Sequence, residues 1–273
     1  MTDRYAVFGN PAMHSKSPLI HGMFARATGQ DLTYEAIEPP LDGFAAAVAL
    51  FRAKRGRGAN VTMPFKLEAF ALATHPSERA RLAGAANALK FDGDRIYAEN
   101  FDGVGLVNDI ERNLGYPLAG KRVLLLGAGG AARGVVLPIL QRTPAALTIA
   151  NRNVPKALAL RDMFAQYGPL TVGSYADLGN ASFDVVLNAT AASMRGELPP
   201  VTPAAFAPGS LAYELVYGKG LTPFLRLARE ARAACLADGV GMLVEQAAEG
   251  FEWWRGVRPD TSAAIEKLRV PLA

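Results

Sequence analysis

Residues 121–152 constrain the fold more than any other stretch of this chain. Lys121-Arg122-Val123-Leu124-Leu125-Leu126 is a short apolar run with a charged entry. Gly127-Ala128-Gly129-Gly130-Ala131-Ala132-Arg133-Gly134 follows without a gap. A helical stretch over 135–142 comes next, and then a second strand-like run over 146–150. Strand, glycine-rich turn, helix and strand make one βαβ unit. Gly127, Gly129 and Ala132 fit the G-x-G-x-x-G/A spacing of a dinucleotide site. The first glycine permits the tight turn, and the second lets the backbone approach a pyrophosphate. The small third residue lets helix and strand pack closely. The helix N-terminus then offers unpaired N–H groups and a partial positive charge to the phosphates.

The end of the second strand discriminates between dinucleotides. An NAD site usually places Asp or Glu there to hold the ribose 2′-hydroxyl. This chain has Asn151-Arg152-Asn153 and no acid. A carboxylate would repel a 2′-phosphate, whereas a guanidinium binds one bidentately. Arg152 therefore points to NADP.

With 273 residues, half of them apolar, the chain can build one or two domains with a sizeable core. The net charge of +4 suits an anionic cofactor or substrate and does not single out nucleic acid. The densest basic cluster is Arg52, Lys54, Arg55 and Arg57. It falls where a helix is expected to end, where positive charge complements the helix dipole, and reads as a solvated face. Cys235 is the only cysteine, so no intramolecular disulfide is possible. No apolar run approaches the roughly 20 residues of a membrane span. The N-terminus shows no signal-peptide pattern, so a cytoplasmic protein is expected. His14, His21 and His75 are scattered, with no Cys/His cluster, so no metal site is expected.

Along the chain, strands are expected over 4–8, 32–38 and 58–62, with helices over 17–28 and 42–54 between them. Ser17 reads as an N-cap with Pro18 at the first helical position. Short helices follow, the second over 77–82, and then a hairpin over 87–91 and 96–100 across Asp92-Gly93-Asp94. Beyond Arg152, helices are expected over 154–167, 223–235, 242–254 and 262–268. Strands are expected over 170–172, 184–188 and 211–216. The class is α/β, with an N-terminal α/β substrate domain and a Rossmann-type doubly wound parallel-sheet domain for NADP. The expected boundaries put 1–102 plus 241–273 in the first domain and 103–240 in the second, with a cleft between them. Glycines near Asp102-Gly103-Val104-Gly105 read as a hinge, and the chain is expected to cross back near Gly239-Val240-Gly241.

Polar loops gather in the first domain. Ser15 and Ser17 supply hydroxyls. Asn60, Thr62 and Lys66 follow the third strand. Asn87 opens the hairpin, and Asn100 and Asp102 close it. Such a set suits a polyhydroxylated ligand. A Lys beside an Asp makes an acid/base pair, because the carboxylate holds the ammonium.

These residues resemble the shikimate dehydrogenase family. The resemblance rests on residues 9–21 (Gly-Asn-Pro-Ala-Met-His-Ser-Lys-Ser-Pro-Leu-Ile-His), 60–66 (Asn-Val-Thr-Met-Pro-Phe-Lys), 127–134, 151–153, 217–225 and 239–248. The motifs keep the family order and cover nearly the whole chain. The resemblance implies NADP-linked interconversion of 3-dehydroshikimate and shikimate. It implies Lys66 and Asp102 as the catalytic pair, and Ser15, Ser17, Thr62, Asn87, Tyr217 and Gln246 as substrate-binding residues. Asn60 joins that set by its place in the loop, and Phe101 by its place before Asp102. Gly127, Ala128, Gly129, Gly130 and Ala131 match the phosphate loop. Asn151, Arg152 and Asn153 match the clamp on the adenosine phosphate, and Gly239 and Leu215 lie by the nicotinamide.

Three positions depart from the family pattern. Phe101 stands where Asn-Thr-Asp is usual, Ala88 where Asn-Thr is usual, and Leu215 where a Met is common. The family's threonine at position 101 normally faces the substrate. Phe101 therefore predicts less efficient use of shikimate, mainly through a higher KM; the alternative is that the ring rotates out of the pocket and Asp102 keeps its usual place, leaving shikimate a good substrate. The alternatives are a related dehydrogenase acting on quinate, aminoshikimate or another cyclic hydroxy-acid, possibly with NAD, and a dinucleotide-binding sensor without turnover. The expected partners are small molecules, with no nucleic acid and no membrane, in a monomer or homodimer.

Overall fold

The computed structural model describes residues 2–272. The chain divides into two compact units, Met1–Gly105 with Val244–Ala264, and Leu106–Leu243 with Ile265–Ala273. The first unit runs through β1 (Asp3–Phe8), α1 (Ser17–Thr28), β2 (Leu32–Ile37), α2 (Phe44–Ala53) and β3 (Gly56–Val61). It continues with α3 (Lys66–Leu72), the two-residue β4 (His75–Pro76), α4 (Glu78–Ala83) and the hairpin β5 (Ala88–Asp92) and β6 (Arg95–Glu99). Next come α5 (Asp102–Asn108) and a π-helical turn, Asp109–Asn113. The second unit holds β7 (Arg122–Leu126), α6 (Gly130–Leu140), β8 (Ala146–Ala150), α7 (Val154–Phe164), β9 (Leu170–Gly173) and β10 (Phe183–Asn188). It also holds β11 (Phe206–Glu214), α8 (Pro223–Glu230) and β12 (Cys235–Asp238). The last helices are α9 (Val240–Arg255) and α10 (Ser262–Leu268).

The first unit is a six-stranded sheet in the order β2-β1-β3-β5-β6-β4. β1 pairs in parallel with β2 and β3, and β5 runs antiparallel to β3 and β6. Both faces are covered, because alternate residues of β1 point to opposite sides. Phe8 meets Phe44 and Phe51 of α2 edge-on. Tyr5 stacks on Trp254 of α9 at 4.8 Å. Gly58 has no side chain because a Cβ there would lie 2.6 Å from the Trp254 indole nitrogen.

The second unit is a six-stranded sheet in the order β12-β11-β10-β7-β8-β9, parallel throughout. Numbered within the unit, this is 6-5-4-1-2-3, the doubly wound order with its switch point between β7 and β10. Val123, Leu124, Leu125 and Leu126 are wholly buried, as a central parallel strand with helices on both faces requires.

The structure corrects several expectations. Ser17 is not the N-cap of α1: Lys16 holds that position without a side-chain cap, and Ser17 is the first helical residue. The Ser15 hydroxyl accepts the Ser17 N–H at 3.2 Å instead. The helix expected over 223–235 ends at Glu230, and Cys235–Asp238 forms strand β12 on β11. Arg232 turns the chain there with a left-handed φ of 62°. A four-residue run has too little length to separate strand from helix by periodicity. The glycines of 102–105 do not make a loop. They open α5, which is anchored by the wholly buried Leu106 and Val107, and the unit boundary at Gly105 falls inside this helix. The other crossing falls at Val244, inside α9. Residues from Ile265 onward cluster with the second unit, where Leu272 packs against a core of Leu124, Phe224 and Leu225, and not with the first as expected for 241–273.

Candidate functional site

In the first unit, the hairpin register builds the polar cluster. Ala88 pairs with Glu99, so Asn87 and Asn100 emerge side by side where the strands part. Asp102 follows as the first residue of α5, and its N–H bonds the Asn100 amide oxygen at 3.1 Å. Lys66 opens α3 after the loop that leaves β3. Its Nζ donates to Asp102 Oδ2 at 2.6 Å. The pair is half-buried, with side-chain exposures of 30% for Lys66 and 16% for Asp102. An ammonium has three N–H donors, so two remain for a ligand.

Asn87 fixes the carboxylate. Its amide nitrogen donates to Asp102 Oδ1 at 2.8 Å and to Gln246 Oε1 at 3.2 Å. Its amide oxygen accepts the Phe101 N–H at 2.9 Å. Four of the expected site residues, Lys66, Asp102, Asn87 and Gln246, are therefore joined by direct hydrogen bonds. Gln246 comes from α9, about 160 residues away in sequence, a meeting that no local pattern encodes.

Asn60 is placed differently. Its amide oxygen accepts from Tyr34 OH at 2.7 Å and His21 Nε2 at 3.0 Å, and its amide nitrogen donates to the Asn87 carbonyl at 3.3 Å. This buried side chain is largely occupied by the protein and supports the loop of Asn87. Ser17, also buried, reaches the Tyr34 hydroxyl. Thr62 is located by its methyl over Gly9, where a Cβ would approach to 2.4 Å. His21 and Tyr34 went unassigned in the sequence because one histidine and one tyrosine carry no spacing signal. Here the rings stack at 4.2 Å and 5°.

Burial pushes the His21 imidazole down from 6.5 to about 3, against a smaller opposing effect of its bond to Asn60. The folded protein therefore holds His21 neutral, while the unfolded chain takes up a proton below about pH 6.5. This contribution to stability is complete above that pH and is lost as pH falls from 6.5 toward 3. By pH 5 the loss should be about 2 kcal/mol. Urea unfolding of wild type and His21→Gln at pH 7 and pH 5 measures it. Wild type should lose about 2 kcal/mol more than the variant across that interval; equal losses would mean that His21 is not held neutral.

Phe101 precedes Asp102. The ring is 4% exposed, meets Trp253 edge-on at 5.7 Å and lies under the Arg79 guanidinium at 5.7 Å. The side chain is committed to packing, while its backbone N–H serves Asn87.

In the second unit, the glycine-rich turn sits at the C-terminal end of β7. Gly127 has a φ of +104°, and a Cβ there would crowd Thr190 and Ala189 at 3.2–3.3 Å. At Gly129 and Gly130 a Cβ would meet nothing within 4 Å. The turn is thus tight at its first glycine and open above the next two. The N-terminus of α6 has no side-chain cap, which leaves its first N–H groups for a ligand. A cavity of about 470 Å³ is lined by Gly127, Ala128, Gly129, Gly130, Ala131, Asn151, Arg152 and Asn153. Lys156, Thr190 and Arg195 also line it and were missed in the sequence, although the ends of parallel strands are where ligands gather. Asn153 caps α7 by accepting the Lys156 N–H, and the Asn151 amide donates to the Asn153 carbonyl at 2.7 Å. Arg152 is exposed, and its charge is felt by Tyr175 and Glu197 of the same cavity wall. Gly239 lies against Leu215, whose carbonyl oxygen would be 2.2 Å from a Cβ. Tyr217 is 42% exposed. Among the described residues no group of three or more His, Cys, Asp or Glu is placed to hold a metal, and no helix is long and apolar enough to cross a membrane.

Open glycines under an uncapped helix, with a guanidinium at the end of the second strand, fit a dinucleotide that carries a 2′-phosphate. A Lys–Asp pair fits proton transfer at a carbonyl or alcohol. Together they define the nicotinamide-dependent oxidoreductases. The family model of the shikimate dehydrogenase substrate binding domain matches residues 7–89. Those of shikimate / quinate 5-dehydrogenase and the shikimate 5'-dehydrogenase C-terminal domain match 109–195 and 239–269. The chain is 58% identical to a shikimate dehydrogenase (NADP(+)) of Dechloromonas aromatica over 272 residues, covering 100% of this chain and 99% of that one. Among solved structures, an Ael1 enzyme from Pseudomonas putida is 61% identical over 100% of both chains, with a TM-score of 0.96. The Thermus thermophilus shikimate 5-dehydrogenase in complex with NADP(H) and shikimate is 30% identical, with a TM-score of 0.87, covering 98% of this chain and 99% of that one. The chain belongs to the shikimate dehydrogenase family.

Proposed function

We propose that this protein is an NADP-dependent shikimate dehydrogenase that interconverts 3-dehydroshikimate and shikimate. The observation that carries this reading is the Lys66–Asp102 pair, 2.6 Å apart and held in place by Asn87 and Gln246, in a chain of this family. Gly127, Ala128, Gly129, Gly130 and Ala131 would receive the pyrophosphate of NADP. Asn151, Arg152 and Asn153 would receive the 2′-phosphate end, and Leu215 and Gly239 the nicotinamide end. When bound, NADPH supplies the hydride. Lys66 protonates the oxygen of the former ketone, or accepts that proton in the oxidative direction. Asp102 orients Lys66 and a substrate hydroxyl. Ser15, Ser17, Thr62 and Tyr217 complete the substrate contacts, with Asn60 as a support for Asn87. We assign the domains accordingly: the Lys66–Asp102 pair and all the substrate contacts but Tyr217 to the first unit, and NADP to the second. The reading extends to a cytoplasmic monomer or homodimer, which fractionation and sedimentation would check.

The test is a panel of shikimate and quinate, each with NADP and NAD, followed at the reduced-nicotinamide absorbance. Shikimate with NADP should be the most efficient combination. Preference for quinate, or for NAD, would replace the substrate or cofactor assignment, and no turnover with any pair would point to a sensor. Arg152→Ala should weaken NADP roughly tenfold and leave NAD almost unchanged, because only the 2′-phosphate contact is lost. Equal weakening of both cofactors would remove Arg152 from the phosphate site.

A further inference from the structure

The basic cluster that reads in the sequence as a solvated face lies in the first unit, apart from the candidate site residues. Arg4 stands in β1, Arg52 and Lys54 close α2, and Arg55 and Arg57 lead through the turn into β3. The parallel register places Arg4 beside Gly56. These five cations therefore gather at the N-terminal ends of β1 and β3, whereas Asn60, Thr62 and Lys66 lie toward the C-terminal end of β3 or beyond it. They surround a cavity of about 560 Å³ whose lining includes one carboxylate, Asp3. Sequence order shows only the charges that end a helix. The fold adds Arg4 from a distant segment and makes the cluster concave.

Two of the guanidiniums are held before any ligand arrives. Arg4 lies 5.6 Å over the Phe51 ring and donates to the Lys54 carbonyl at 3.2 Å. Arg52 lies 5.6 Å over the Phe91 ring and donates to the Gly93 carbonyl at 2.9 Å. Each guanidinium has five N–H donors in a planar fork, so these bonds fix its direction without exhausting it. Arg4 also pairs with Glu35 at 2.6 Å, and Arg57 with Asp3 at 3.2 Å. Five cations thus face two acids. Arg55 follows the α2 C-cap with a φ of +63°, a left-handed conformation in which glycine is at ease and arginine is strained.

We propose that this cavity binds a compact anion with several linked phosphate groups. Guanidinium forks match phosphate oxygens bidentately, and cations spread around the rim suit charges spaced along a chain better than a single phosphate. Inorganic tripolyphosphate and the triphosphate of a nucleotide share this chemistry.

The test is calorimetric titration of the full chain with tripolyphosphate and, separately, with metal-free adenosine triphosphate, each repeated with NADP present. One site per chain with a sub-millimolar Kd is expected, unchanged by NADP and weakened by salt. Arg52→Gln combined with Arg57→Gln should weaken it tenfold or more. Arg55→Gly is the second variant, because it relieves the strained backbone while removing the charge: Tm should rise and affinity should fall. Equal affinity for the two anions would identify the phosphate chain as the recognised part, and tighter nucleotide binding would add the nucleoside; either supports the site. Displacement by NADP, unaltered binding by both variants, or tighter binding of a DNA duplex than of either anion would overturn it.

Discussion

Lys66→Met is expected to reduce shikimate turnover roughly 10²-fold or more, the usual size of a general acid–base contribution. Methionine keeps an unbranched apolar stem of similar shape and lacks the ammonium. Asp102 would lose its partner at 2.6 Å but keep the Asn87 amide at 2.8 Å. The pair is partly solvated, so the fold should lose no more than about 1 kcal/mol. NADP affinity should be unchanged, because the glycine-rich turn and Arg152 belong to the other unit. Steady-state kinetics together with NADP titration distinguish the outcomes. A fall in kcat with NADP still bound supports the proton role. Near-normal kcat would remove Lys66 from it, and a rise in KM alone would make it a binding residue.

Phe101→Thr is expected to destabilise the protein by about 3 kcal/mol, as large-to-small core substitutions do, with a buried hydroxyl adding to the loss. The ring it removes fills the space between Trp253 and Arg79. The KM for shikimate should change less than about twofold, since the contact Phe101 makes toward the site is its backbone N–H on Asn87. Denaturant unfolding gives the first quantity and initial rates give the second. A lower KM at unchanged stability would restore the expectation drawn from the family's threonine and show that the ring faces the substrate.

Sequence and structure agree best where the determining contacts are local. The strand, glycine turn and helix over 122–140 follow from an apolar run, a φ that only glycine adopts easily at 127, and a helix start with no side chain in the way. The hairpin of β5 and β6 follows from two alternating runs across Asp92-Gly93-Asp94. Lys66 and Asp102 were legible as a pair because each stands just past a strand end in a polar loop.

The remaining features depend on contacts between distant segments. Phe101 reads as a substrate residue until Trp253, on α9, is placed against it. Asn60 reads as a ligand-binding amide until Tyr34 and His21 take up its oxygen. Asn87 and Gln246 meet across 159 residues. The sequence by itself determined the βαβ unit, the parallel sheet and the types of residue available for chemistry, because backbone sterics and apolar periodicity act over a few residues. Only the tertiary structure decided which polar side chains remain for a ligand and which are consumed by the protein. A buried polar group must find a partner, and that partner can come from anywhere in the chain.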